Sequence, residues 1–374
     1  MQRSYLVAGL AFGDEGKGAT VDYLTRTKSA SLIVRYNGGP QTAHNVTLKD
    51  GRHHTFSQFG SGMFCPDVKT YLSKHMLINL GNLMDEARCL ADSGVPDALS
   101  RTYVDKDCLL ITPFHVATNR LLAKGNNTCG QGLGHAREDW FEHGDRTLKV
   151  KNLLKNNTLK RKLKFAQRLA IHKIKNLKAG DKNLIAMINE PSTVDICFEY
   201  YKKWRENIQV GDLRLIRNLF KQNDSIIFEG AQGVLLDEYY GDDDYNTWTD
   251  CTFNNANRFL SRIGYRGMKI KIGVLRTYYT RHGDGPFPTE DTKLDYPEPH
   301  NKGDSYQGKF RLGYFDPILA KRAISIVRGV DGIALNHLDV CHKHSEIENN
   351  LGVPVIIEGR GPTTEDRNEI RRDT

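Results

Sequence analysis

"GLAFGDEGKGATVDYL", residues 9–24, sets Asp14, Glu15 and Lys17 in a run otherwise built mostly of small residues. Ahead of it, residues 4–10 (Ser-Tyr-Leu-Val-Ala-Gly-Leu) form an apolar run of strand length, and behind it Val21, Tyr23 and Leu24 follow a helix-compatible pattern. The stretch reads as a strand, a tight loop and a helix start. Gly13, Gly16 and Gly18 open backbone shapes closed to other residues, and the amides of the helix N-terminus make an anion site, with phosphate the natural guest. The spacing is not the common G-x-x-x-x-G-K-[ST] phosphate loop, because Ala11 stands at the first glycine and Gly18 follows the lysine. Acids in such a loop repel phosphate unless a divalent cation bridges them or a carboxylate has a proton to remove. Asp14 is therefore the first candidate for chemistry.

Further strand-like runs occur at 31–35, 184–188, 225–228, 269–274 and 331–335, with helical patterns such as 81–93 and 316–328 between them. This alternation predicts an α/β fold with a large, mostly parallel central sheet flanked by helices. Without a repeat or low-complexity linker, 1–374 is expected to be a single domain with loop and helical insertions. In open α/β sheets ligands bind beyond the carboxyl ends of the strands, where the glycine-rich loops of this chain fall.

The 374 residues can bury a large core, and 39% hydrophobic with 26% charged residues is a soluble globular composition. No apolar run approaches the roughly 20 residues that span a bilayer, and the N-terminus lacks a signal-peptide layout, so a cytoplasmic protein is expected. The seven cysteines include no C-x-x-C pair, which argues for reduced thiols and against zinc. The net charge of +8 is concentrated between Arg146 and Lys178. There Leu159, Leu163, Ala166, Ala170, Ile174 and Leu177 recur at helical spacing, so the lysines and arginines fall on the outer face of an amphipathic helix. Without aromatic interleaving, nucleic acid is not expected as a partner.

Five more stretches carry chemistry-bearing residues. "RYNGGPQTAHNVT" (35–47) is a glycine turn leading to His44, which on its own reads equally as an ordinary surface histidine. "TCGQGLGHARED" (128–139) is a second glycine loop, and "FEGAQGVLLD" (228–237) ends a strand around Gln232, whose amide can read a base or phosphate edge. "TRHGDGPFPTE" (280–290) precedes Lys309 and Arg311, spaced to flank one anion. "NHLD" (336–339) closes a strand with an Asp suited to a guanine edge. A regulatory GTPase would also pair a phosphate loop with Asn-x-x-Asp, but Gly18 replaces the Ser or Thr it needs.

The order GDEGKG, GG…H, T-x-G-x-G-x-G…ED, FEGAQGxLLD, GPFPTE, a basic loop, LDV and GP…DR resembles the adenylosuccinate synthetase family, from Leu6 to Arg367. The resemblance implies a P-loop-NTPase-related fold and a purine-nucleotide:L-aspartate ligase driven by nucleoside triphosphate hydrolysis, with Mg²⁺, typically as a homodimer. It implies that Asp14 is the base that takes the purine N1 proton so that O6 attacks the γ-phosphate. His44 would support the departing diphosphate, and Lys17 would stabilise the transferring phosphoryl group. It places Mg²⁺ on Asp14 and the carbonyl of Ala43. Substrate contacts would come from Asn37, Gln41, Thr42, Thr128, Cys129, Gln232, Thr247, Ser305, Lys309 and Arg311. Triphosphate contacts would come from Gly13, Glu15, Gly16, Gly18, Ala19, His337, Asp339, Gly361 and Pro362.

The chain departs from the common pattern at substrate positions: Phe12 for Trp, Ala19 for Lys, Gln41-Thr42-Ala43-His44-Asn45, Cys129, Gln131, Gly308-Lys309-Phe310-Arg311 and Asn336-His337. Asp14 and His44 stay while specificity positions change, which suggests a changed substrate. A phage-encoded branch of the family uses dGMP to make the 2-aminoadenine deoxynucleotide precursor; its members would act in the host cytoplasm. Lys309 in place of an arginine fork weakens a 2′-hydroxyl contact, and Gln41-Thr42 suits a 2-amino group, so dGMP is expected over the alternative, IMP with GTP. Against this, some members of that branch lack the acid equivalent to Asp14. The triphosphate stays open between GTP and ATP or dATP, and the partner-subunit phosphate contact is unassigned among His143, Arg137 and Arg146.

Overall fold

The computed structural model describes residues 1–123, 128–242, 244–298, 300, 306–342 and 344–370. Its centre is a ten-stranded sheet among the described residues. From edge to edge the order is Arg367–Glu369, Val355–Gly359, Gly332–Asn336, Met268–Arg276, Arg3–Gly9, Ser225–Gly233, Leu32–Arg35, Lys69–Leu72, Thr102–Asp105 and Gln209–Gly211. All neighbours run parallel except the Arg367–Glu369 edge strand, which is antiparallel.

The inner strands are apolar on both faces because helices cover both. Along Arg3–Gly9, Leu6 and Ala8 enter one core cluster with Phe228, Phe259 and Leu275, while Tyr5 and Val7 enter another with Val21, Leu24 and Ile33. A third cluster unites the helices Pro113–Leu122, Asn156–Ile174 and Thr193–Arg205 beyond the sheet. Five strands, ending at Gly9, Arg35, Gly233, Arg276 and Asn336, deliver their following loops to one edge of the sheet, the carboxyl edge.

Two local expectations are corrected. Residues 184–188 do not form a strand: they lie in the helix Lys182–Asn189. Asp181 caps that helix, accepting from Asn183 N at 2.8 Å and Leu184 N at 3.2 Å, and Ile188 packs into the helical core. A five-residue apolar run carries no period that separates the two states. The basic helix runs Asn156–Ile174 and buries Leu159, Leu163, Ala166, Ala170 and Ile174 as expected, but it ends before Leu177, and Lys162 is not on the outer face. Its ammonium is buried on the carbonyls of Asp145 (2.6 Å) and Thr147 (2.7 Å) and on Asn152 Oδ1 (3.0 Å).

Candidate active site

The loop after Arg3–Gly9 owes its shape to positive φ at Gly13 (100°), Asp14 (58°) and Gly16 (93°). Gly16 is the residue before helix Lys17–Thr27, and a Cβ there would lie 2.8 Å from Asn336 Nδ2, which donates to the carbonyl of Glu15 at 2.9 Å. Asn336, first residue of the Asn-x-x-Asp stretch, thus straps the loop to the Gly332–Asn336 strand. A Cβ on Gly18 would meet His44 Cβ at 2.7 Å, so this glycine lets the helix start reach His44.

The two loop acids have separate environments. Glu15 is fully buried, accepts from the amides of Ala11 and Gly13 at 3.0 Å each, and pairs with Lys17 Nζ. Asp14 is 23% exposed, and its Oδ2 lies 3.1 Å from His282 Nε2. Burial pushes the Asp14 carboxyl up, but the hydrogen bond and charge of His282, with Arg276 and Lys17, outweigh it and leave the pKa below its usual value. Arg276, buried at the end of its strand, donates to the Asp14 carbonyl at 3.0 Å and pairs with Glu298.

His44 is buried, with Nδ1 2.6 Å from Glu229 Oε1. Glu229 also takes the Ser61 amide at 2.9 Å and the Ser61 hydroxyl. Burial pushes this carboxyl up, but Arg35, His44 and Ser61 together hold it below the usual range. For His44, burial is the largest influence and lowers its pKa; Glu229 opposes this, and Arg35 and Lys17 add to it. His44 Nε2, on the far side of the ring, is buried without a partner among the described residues.

Two adjoining cavities use this machinery. One, of about 310 Å³, is walled by Asp14, Gly16, Lys17, Gly18, Ala19, Ala43, His44, His337, Asp339, Gly361 and Pro362, together with Arg276, Asn336 and Arg367. The other, of about 430 Å³, is walled by Gln41, Thr128, Cys129, Gln232 and Thr247, together with Arg281, His282 and Asp284. Asp14 in the first wall and His282 in the second join them. His337 stands 3.4 Å from both Arg276 Nη2 and Tyr278 Oη, and burial, with Arg276 and Arg367, pushes its pKa down to about 2, so it is a neutral imidazole. Asp14 and Ala43 share the first wall, and a carboxylate with a backbone carbonyl is a partial oxygen set of the kind Mg²⁺ completes with phosphate oxygens and waters. No cluster of three His, Cys, Asp or Glu suited to a metal occurs among the described residues.

Other expected residues sit elsewhere. Gly13 and Glu15 lie outside the lining of both cavities and brace the loop from within. Asn37 is buried, exchanging hydrogen bonds with the backbone of Ala231 at 3.0 and 2.7 Å, and Thr42 is buried behind Gly38. Arg311 donates to the carbonyls of Gly283 and Gly285 at 3.0 Å each and to Glu290 at 2.6 Å, while Lys309 is exposed; neither lines a cavity. Ser305 lies outside the described residues. Glu229, His282, Arg276 and Arg367 were not singled out from sequence. Glu229, His282 and Arg367 sit inside stretches that carried a motif; Arg276, a lone cation ending an apolar strand, gave no signal.

A sequence profile of the adenylosuccinate synthetase family matches residues 6–360. The chain belongs to the adenylosuccinate synthetase family. It is 33% identical over 355 residues to the adenylosuccinate synthetase of Nitrosomonas eutropha, covering 91% of this chain and 78% of that one. It is likewise 33% identical over 360 residues to that of Vibrio cholerae, covering 93% and 79%. The fold matches that of fully ligated adenylosuccinate synthetase from Plasmodium falciparum with a TM-score of 0.78 at 19% identity, over 98% of this chain and 99% of that one. It also matches cyanophage S-2L succinoaminodeoxyadenylate synthetase, bound to dGMP and dATP, with a TM-score of 0.63 at 18% identity, over 99% and 95%. The protein is accordingly a nucleotide-binding carbon–nitrogen ligase of purine biosynthesis. Mg²⁺ and GTP are general to the family. Among the described residues no helix is long and apolar enough to cross a membrane.

Proposed function

We propose that this ligase joins L-aspartate to C6 of dGMP through a 6-phosphoryl intermediate, with the triphosphate in the cavity behind Lys17 and the purine nucleotide in the cavity behind Gln232. The observation that carries the purine assignment is Gln41. Its Nε2 donates to Gln232 Oε1 at 3.4 Å, and its own Oε1 is buried without a partner among the described residues, in the wall of the second cavity. A buried acceptor left unpaired costs about 1–3 kcal/mol, and guanine offers a 2-amino N–H to it where hypoxanthine offers only C–H.

In the first step Asp14 takes the N1 proton, O6 bonds to the γ-phosphorus, and the β,γ-bridge bond breaks with its electron pair passing to the diphosphate. His44 Nε2 faces that leaving group, with Glu229 holding the ring and supporting its positive form. Lys17 and the helix N-terminus stabilise charge on the transferring group. In the second step the aspartate amine bonds to C6, loses a proton, and inorganic phosphate departs. Asp14 and the Ala43 carbonyl would hold Mg²⁺, which would supply charge neutralisation on the triphosphate. Asp339 at the cavity rim suits the base of GTP, while the neutral His337 beside it is equally compatible with ATP or dATP. A homodimer suits the exposed aromatic residues Phe141, Tyr239 and Tyr240.

The test is a matrix of dGMP, IMP and GMP against GTP, ATP and dATP with L-aspartate, reading phosphate release and product mass. A clear preference for IMP overturns the purine assignment. It then favours the adenylosuccinate activity named for the relatives at 33% identity.

A further inference from the structure

The backbone of Asp14 is fixed by its left-handed φ of 58° and by Arg276 on its carbonyl, but neither sets where the carboxylate points. The carboxylate stands in the wall of the triphosphate cavity, whereas the proton it removes belongs to a purine in the neighbouring cavity. A base turned toward its own cavity is useless to a substrate in the next one. The group that turns it is on a different element: His282, last residue of the Tyr278–His282 strand, lines the nucleotide cavity and reaches Asp14 Oδ2 at 3.1 Å. The His282 ring packs on Phe310, 5.0 Å between centroids, directly across the hairpin. The hairpin thereby clamps the imidazole and aims its Nε2 at the boundary between the cavities.

We propose that His282 is a positioning residue for the phosphoryl-transfer step: by holding one Asp14 oxygen at the boundary, it presents the other to the purine N1–H. This inference rests on Asp14 being the base, as proposed above. The imidazole makes or breaks no bond; its contribution is geometric. A misplacement of about 1 Å in a reacting group costs on the order of 10²-fold in rate. The binding of either nucleotide does not depend on it, since Asp14 and His282 are two groups in walls that each contain many other contacts.

The experiment isolates the first step. With the full chain, Mg²⁺ and no aspartate, a triphosphate carrying ¹⁸O in its β non-bridging positions scrambles label into the β,γ bridge only if phosphoryl transfer to the purine occurs reversibly. GTP and ATP are each used, with dGMP and with IMP. His282→Phe keeps a ring against Phe310 but has no donor; His282→Gln has an N–H donor but no ring. The proposal expects the phenylalanine variant to lose about 10²-fold in scrambling rate, and the glutamine variant to recover most of it, with KM for both nucleotides within about threefold of wild type. Recovery by Phe and not by Gln makes the role one of packing and overturns the proposal, as does unchanged scrambling in both or equal loss in both. If the phenylalanine variant melts early, His282→Leu repeats the comparison with a smaller apolar side chain. Asp14→Asn is the control for the underlying reading: scrambling retained there refutes Asp14 as base, whereas its loss there with a packing outcome at 282 refutes the inference alone.

Discussion

His44 Nδ1 sits 2.6 Å from Glu229 Oε1, and the opposite ring nitrogen, Nε2, is left unpaired among the described residues, in a residue that lines the cavity proposed for the triphosphate. The carboxylate orients the imidazole, and in the proposed mechanism the imidazole is the group that meets the leaving diphosphate. Burial lowers the pKa of His44 and Glu229 opposes it, so in the proposed mechanism Glu229 supports the positive ring beside the triphosphate's charge.

Replacing Glu229 by Gln keeps shape and removes the charge. Turnover is expected to fall by about 10²-fold, with triphosphate KM little changed, and His44→Ala is expected to fall at least as far. Steady-state kinetics of both, and of the double variant, check this: if the two act as one unit, the double variant is no slower than His44→Ala. Multiplicative losses would show that Glu229 acts apart from His44.

Asp14→Asn is expected to reduce kcat by about 10³-fold while leaving purine nucleotide binding in place, because an amide cannot accept the N1 proton. Equilibrium binding of dGMP and IMP beside steady-state turnover separates the two effects. Near-normal kcat removes Asp14 from the mechanism.

Gln41→Met keeps length and volume without the acceptor. The ratio of kcat/KM for dGMP over IMP is expected to drop by about tenfold, the equivalent of one neutral hydrogen bond. Lys309→Arg, on an exposed side chain outside both cavities, is expected to leave that ratio unchanged. A falling ratio in the arginine variant with none in the methionine variant reverses the assignment of specificity.

Removal of Mg²⁺ by excess chelator is expected to abolish phosphate release for every purine and triphosphate pair, since an acid-bearing loop repels an unneutralised triphosphate. Activity persisting in chelator contradicts the oxygen-donor site on Asp14 and Ala43.

His75, in the wall of a third cavity, supplies a pH dependence of stability. Burial first, then Lys74, Arg258 and Arg137, push it from 6.5 to about 3. A lowered histidine pKa means that, between these values, the unfolded chain carries one more proton than the folded one. Stability is therefore lost as pH falls below 6.5, by about 1.4 kcal/mol per pH unit for this group, levelling off near pH 3. His75→Asn is expected to flatten the urea-midpoint profile in that window relative to wild type; parallel profiles argue against a neutral buried His75.

The family and the α/β class were legible in the order of residues, and Asp14 and His44 were legible there as candidates. A strand, glycine loop and helix start are local events, decided by φ freedom and hydrophobic period over about twenty positions. The same locality explains the error at 184–188, where the Asp181 cap and packing of Ile188 on distant helices outvoted a short apolar run. Only the tertiary structure could show that Glu15, two residues from Lys17 and beside Asp14, turns inward to brace the loop, while Asp14 turns toward His282, 268 positions along the chain. The pairing of His44, which starts a separate two-stranded hairpin, with Glu229 in the central sheet and the Arg276 hold on the Asp14 carbonyl are likewise contacts between segments remote in sequence. Side-chain direction at a loop residue depends on what the neighbouring strands bring within about 3 Å, and that is set by sheet order, which no local pattern encodes.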